Sequence, residues 1–160
     1  MGRRSVREDK NIYQKARESN GLTRLEAAEL LEYISEDKIE KIESGKALPR
    51  PEEVMTMAKA YKTPELCNYY CSHECPIGEK YVAPAEVKDL SQITLEMLAT
   101  LNTLNVEKNR LIEITVDGKI TEEELDDFER IRTQLAGMAS AISSLSLWVD
   151  KALESGKIEK

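Results

Sequence analysis

The strongest constraint on what this chain can fold into is a pair of long apolar periodicities in its second half. From Pro84 to about Thr115, Val87, Leu90, Ile93, Met97, Leu98, Leu101, Leu104, Leu111, Ile112 and Ile114 recur in steps of three and four residues. That spacing lines one face of a helix and predicts a long helix, irregular around residues 102–105. A second run from Glu122 to about Ser155 carries Leu125, Phe128, Ile131, Leu135, Met138, Ile142, Leu145, Val149 and Ala152, close to a heptad seam. Trp148 lies beside that stripe, and Gly156 is a suitable stop. Two long helices joined by a short connection make a hairpin, and one hairpin leaves a wide apolar face poorly covered. Pairing two across a dyad gives a four-helix bundle, so residues 84–156 are expected to form a helical dimerisation hairpin. The alternative is a monomer whose hairpin folds back on its own N-terminal domain.

The connection reads "ITVDGKITEEEL". Asp117-Gly118, Ile120 and Glu124 match the second half of a calcium-binding loop, but Glu113 and Thr115 stand at its first and third ligand positions. An Asp-Gly turn followed by a Thr121–Glu124 capping box accounts for the segment without calcium.

Charge divides the 160 residues unevenly. Residues 1–62 hold 13 Lys/Arg against 12 Asp/Glu, and the remainder 10 against 18. An acidic second half repels phosphates, so any nucleic-acid contact belongs to the first half. Hydrophobic residues are 41% and charged residues 33%, and no apolar run approaches the roughly 20 residues of a membrane span. The start, Met1-Gly2-Arg3-Arg4, is basic without a following apolar stretch, so no secretory signal is visible. Three cysteines are a poor basis for a disulfide framework. The expectation is a cytoplasmic protein with reduced thiols.

The first sixty residues read as four short helices. Ile12, Tyr13 and Ala16 suit the first, stopped by Asn20-Gly21. Thr23 caps the second, with Glu26 completing a capping box. Ser35 caps a third carrying Ile39 and Ile42, ended by Ser44-Gly45-Lys46. Pro51 with Glu52-Glu53 opens a fourth bearing Val54, Met57, Ala58 and Tyr61. Two close helices about a tight turn suggest a helix-turn-helix. The segments "LTRLEAAELL" and "IEKIESGKALPRPEEVMTMAKAY" resemble the Cro/C1-type, or XRE-like, helix-turn-helix family over residues 8–63. The matching features are Leu22-Thr23, Ala28, Ile39, Ile42-Glu43, Gly45-Lys46, the following proline and the closing Ala58-Lys59-Ala60.

The resemblance implies that the third helix, residues 35–44, enters the DNA major groove while the second crosses the backbone. Carried over, it makes Ser35, Glu36, Asp37, Lys38 and Lys41 groove-facing, Arg24, Lys46 and Arg50 phosphate-facing, and Leu30, Ile39 and Ile42 core. Two departures stand out. Glu32-Tyr33-Ile34 is about one residue longer than the usual turn and lacks its glycine. Glu36-Asp37 stabilises the helix start but would face phosphates, which costs affinity unless one carboxylate accepts from a cytosine amino group. Family members commonly act as dimers. The fold class expected is all-α, an N-terminal helix-turn-helix domain followed by a long helical hairpin. The function expected is a sequence-specific regulator of transcription that binds double-stranded DNA as a homodimer. The alternative is a helix-turn-helix scaffold used as a protein–protein adaptor without DNA binding. No motif has catalytic spacing, and neither an enzyme nor a small-molecule substrate is indicated.

Residues 64–83 form a cysteine-bearing junction, with a linker from Gly78 to Pro84. Cys67, Cys71 and Cys75 recur every fourth residue, one stripe on a helix that Pro64 opens and Pro76 closes. With His73 they supply three thiolates and one imidazole, the donor set of a tetrahedral zinc site, and the three thiolates alone suit an iron–sulfur cluster. The three-residue gaps differ from the two-residue gaps usual in zinc knuckles. The first reading is a packed junction in which the thiols are buried with Leu66, Tyr69, Tyr70 and Ile77, and the metal site and a redox switch are its alternatives.

Overall fold

A computed structural model describes residues 10–158. It separates into two compact units, Met1–Val82 and Ala83–Lys160. The basic Met1-Gly2-Arg3-Arg4 start, and the first two residues of the expected domain 8–63, lie outside the described residues. The described residues are all helix, turn and loop, with no strand. No helix searched among them is long and apolar enough to cross a membrane.

The first unit contains α1 (Ile12–Ser19), α2 (Arg24–Leu31), α3 (Glu36–Glu43), α4 (Pro51–Ala60), α5 (Glu65–Tyr69), a π-helical turn (Tyr70–Glu74) and α6 (Gly78–Tyr81). Each of the first four helices starts where a side chain satisfies its orphan amides. Asn11 accepts from the Gln14 amide, Thr23 and Glu26 form a reciprocal box, and Ser35 accepts from the Lys38 amide. At α4 the Glu53 carboxylate accepts from the Arg50 amide at 2.8 Å, with Pro51 at the first helical position.

These short helices gain little from propensity, so packing holds them. Their shared core is Tyr13, Ala16, Ala27, Leu31, Ile34, Ile39, Ile42, Val54, Met57, Ala58, Tyr61 and Leu66. Leu30, which the resemblance placed in the core, is 51% exposed. The inward row of α2 is Ala27 and Leu31, one turn apart, and Leu30 points about 100° away from it. The turn after α2 is closed by a bond from the Tyr33 amide to the Leu31 carbonyl at 2.6 Å, with Glu32 at φ 57°, ψ −53°. This is a γ-turn, strained for a non-glycine residue. Its extra residue delivers Ile34 into the core.

The junction is not a free linker. Leu66 is fully buried in the first core, and Cys67 and Tyr70 pack against it. The Cys75 amide reaches the Tyr70 carbonyl at 2.9 Å, an i to i+5 bond, and Cys75 is extended ahead of Pro76 as the sequence predicts. Instead of continuing as linker, Gly78–Tyr81 make the single turn of α6, and Gly78 is buried against the π turn. A Cβ at Gly78 would stand 1.9 Å from the Cys71 carbonyl oxygen, a backbone atom that cannot step aside. Gly78→Ala is therefore expected to destabilise the first unit by about 1–3 kcal/mol, the usual cost of overpacking. Urea denaturation followed by tyrosine fluorescence tests this, and an unchanged midpoint would refute it.

The second unit is α7 (Leu90–Thr115) and α8 (Leu125–Glu154). Arg110 pairs with Asp127 at 2.7 Å and Arg130 with Glu107 at 2.9 Å, so residue numbers rise on one helix as they fall on the other. The two helices form an antiparallel hairpin. α7 begins at Leu90, not near Pro84, because Asp89 caps it through the Gln92 amide at 2.9 Å. The preceding residues lie along α8, where Ser140 donates to the Pro84 carbonyl at 2.6 Å and the Glu86 amide donates to Ser144 at 3.1 Å. α7 runs unbroken through residues 102–105.

The connecting turn has Gly118 at φ 70° and the Lys119 amide on the Asp117 carboxylate at 3.0 Å. The Glu124 carboxylate accepts from the Thr121 amide at 3.0 Å and hydroxyl at 2.8 Å, one half of the expected box, while the Glu124 amide donates to the Thr121 carbonyl instead of its hydroxyl. α8 starts after that box, three residues later than the expected Glu122. Its fully buried residues are Ile131, Ala141, Ser144, Leu147 and Ala152. Leu135 and Ile142, expected in the buried stripe, are 46% and 49% exposed. A straight helix repeats every 3.6 residues, so a strict seven-residue row drifts off the face that a single neighbour covers.

Candidate nucleic-acid interface

α2, the γ-turn and α3 are held to α1 by one buried cluster of charges. Arg17 donates to Glu43 through Nε at 2.6 Å and Nη2 at 2.9 Å, and Arg24 Nε donates to the same carboxylate at 2.9 Å. The Glu43 side chain is 1% exposed. Burial works against the Arg17 charge, but the hydrogen bonds and charge of Glu43 outweigh it and raise its pKa. One carboxylate thus ties three helices together and fixes the angle at which α3 is presented.

With Ile39, Ile42 and Glu43 turned inward, α3 directs Glu36, Asp37 and Lys41 outward. Of the five cations expected to face DNA, four are engaged within the domain. Lys38 forms a very short ion pair with Glu53, and Lys41 pairs with Asp37 at 2.6 Å one turn back. Lys46 stands 3.7 Å from Glu40, and Arg24 is drawn to Glu43. Ser35 is occupied as the cap of α3. Glu36 is exposed and holds no hydrogen bond or ion pair among the described residues. Arg50 lies at the start of α4 beside an open groove of about 500 Å³, lined also by Tyr33, Ser35, Lys38, Glu52 and Glu53.

Glu53 is the residue that the sequence reading missed. Burial raises its pKa, but the Arg50 amide and Lys38 more than offset this, so it stays below the ordinary carboxylate value. Its signal was its place three residues after Arg50, the capping-box position, but the partnership with Lys38 spans 15 residues and has no sequence signature. Tyr33 was also missed. Its hydroxyl shares a very short hydrogen bond with Thr56, which pins the turn to α4.

In the cysteine block the printed contacts of His73 are to its own segment. The His73 ring stacks on Tyr69 at 4.6 Å and 12°, and its Nδ1 lies 2.8 Å from the Ser72 hydroxyl and 3.2 Å from the Tyr69 carbonyl. Tyr13 donates to Glu74 at 2.7 Å, anchoring the π turn to α1. Burial and the adjacent Glu74 carboxylate push the Tyr13 phenol far up, so it remains a donor. Among the described residues, no group of three or more His, Cys, Asp or Glu is placed to hold a metal ion. The three cysteines are half-buried.

Residues 14–66, from α1 into α5, match the family model of a helix-turn-helix domain. The N-terminal unit is thus built around a helix-turn-helix domain, the class that the Cro/C1 resemblance implied, and DNA is the partner this class suggests. No curated protein and no solved structure matches the chain.

Proposed function

We propose that the protein is a sequence-specific DNA-binding regulator of transcription, with α3 as its recognition helix, acting as a homodimer through the α7–α8 hairpin. The observation that carries the DNA reading is the family match over the segment that folds as four capped helices with the outer face of α3 open. Lys41 and Lys46 sit at exposed positions from which they exchange a carboxylate for a phosphate, and Arg50 lines the open groove beside them.

The homodimer rests on the middle of the hairpin. In a chain that is 33% charged, residues 133–149 of α8 and 97–106 of α7 contain no charged residue. A helix without charge around its whole circumference is one that is covered on more than one side. Leu135, Ile142 and Val149, seven residues apart, form an exposed apolar row there, and Leu98 and Leu101 are exposed on α7. A seven-residue row is satisfied by an identical row, which a second copy supplies.

The test is a selection of genomic fragments on the full chain, beside a Lys41→Ala/Lys46→Ala variant that loses only exposed ion pairs. A two-fold symmetric site is expected to be enriched by the wild type and lost in the variant. The adaptor reading has its own support, since Arg24, Lys38, Lys41 and Lys46 all lie against carboxylates of their own domain. No enrichment at low salt, where phosphate contacts are strongest, would favour it.

A further inference from the structure

We propose that Glu36 is the base-reading residue of α3 and that it selects cytosine. This rests on the DNA-binding reading above and specifies what that reading would recognise. The first turn of a recognition helix is the part that reaches base edges. In α3 that turn offers Glu36, Asp37 and Lys38, beside the cap Ser35. Three of the four are committed within the domain. Ser35 accepts from the Lys38 amide, the Lys38 ammonium rests on Glu53, and Asp37 holds Lys41 at 2.6 Å. Glu36 remains, exposed and without a partner among the described residues.

A carboxylate only accepts hydrogen bonds. In the major groove, guanine presents two acceptors and thymine an acceptor and a methyl group, so both repel it. Adenine presents an amino donor beside the N7 acceptor, offering one attraction and one repulsion. Cytosine presents its N4 amino group with no N7 acceptor on the same base and is the base that suits Glu36. The same charge opposes phosphates wherever the amino group is absent, so Glu36 also penalises non-cognate DNA. Discrimination then comes from rejection as much as from attraction.

Glu36→Gln tests this, because an amide of the same shape accepts and donates and pairs with adenine through N6 and N7. Full-length wild type, Glu36→Gln and Glu36→Ala are each taken through selection from random-sequence duplexes at one salt concentration. Wild type is expected to enrich cytosine at one position of each half-site, preferred roughly 5- to 150-fold over the other bases. Glu36→Gln should change that position alone to adenine, and Glu36→Ala should lose the preference there while keeping the rest of the site. If all three proteins enrich the same base at every position, Glu36 does not read sequence and the proposal is overturned while the DNA reading stands. If none enriches any sequence, the DNA reading fails and takes the proposal with it.

Discussion

Arg17→Met should cost the N-terminal unit about 3–5 kcal/mol, the usual penalty for stripping a buried charge of its partner. Methionine keeps the apolar stem of Arg17 but removes two of the three bonds to Glu43, whose side chain is 1% exposed. Arg24, a third exposed, is left to neutralise that carboxylate through one nitrogen. Arg17 also donates to the Leu22 carbonyl at 2.5 Å, so the loop into α2 loses an anchor. A small domain has about 5–15 kcal/mol to lose, so the variant should be largely unfolded at mild denaturant concentrations. Amide exchange over residues 12–66 reads this unit separately from the hairpin, since the whole chain need not unfold in one step. Arg17→Met/Glu43→Leu should recover most of the loss, because replacing both charges removes the desolvation penalty. If the single variant lost less than about 1 kcal/mol, the cluster would rank with ordinary surface pairs.

The second large effect concerns assembly. Ile142→Glu should convert a dimer to a monomer while leaving far-UV circular dichroism unchanged. Ile142 is half exposed in the isolated hairpin, so a carboxylate there is tolerated within one copy. Against an identical row it would place two unpaired carboxylates in an apolar seam, each desolvated. Sedimentation velocity at about 10 µM decides this, with Lys119→Glu in the connecting turn as a control that stays dimeric. Affinity for a two-fold site should fall by about 10²–10⁴, because the second half-site would no longer be bound at a high effective concentration. A wild-type monomer at that concentration would sink the prediction and, with it, the homodimer reading.

Much of the architecture was legible from residues whose effect is local. Thr23 with Glu26, Ser35 and Pro51 form their caps within four residues and appear as the pattern predicted, and Thr121 with Glu124 forms half of its expected box. Gly118 and Gly156 take the positive φ for which glycine is the natural choice. The extended Cys75 follows from Pro76 alone. Where the reading slipped, two local options were close in energy and a distant contact chose between them. Leu30 and Leu31 are equally apolar neighbours, and only the position of the remaining core decides which one turns inward. Asp89 competes with Pro84 as the start of α7, and the bonds of the preceding segment to Ser140 and Ser144 favour the later one. The candidate interface was half legible. Ser35 caps α3 and Glu36, Asp37 and Lys41 are exposed on it, as the helical period allows, but no spacing rule foretold that Lys38 would turn to Glu53.

By itself the sequence determined the helical class, the caps, the paired long helices and the helix-turn-helix segment, because hydrophobic period and capping act over one or two turns. Only the tertiary structure decided which face of α8 is buried, how the junction packs onto the first core, that His73 stacks on Tyr69, and which cations around α3 are already paired. Those outcomes depend on pairs of residues far apart in the chain, whose meeting is set by packing, and packing energy belongs to the whole fold.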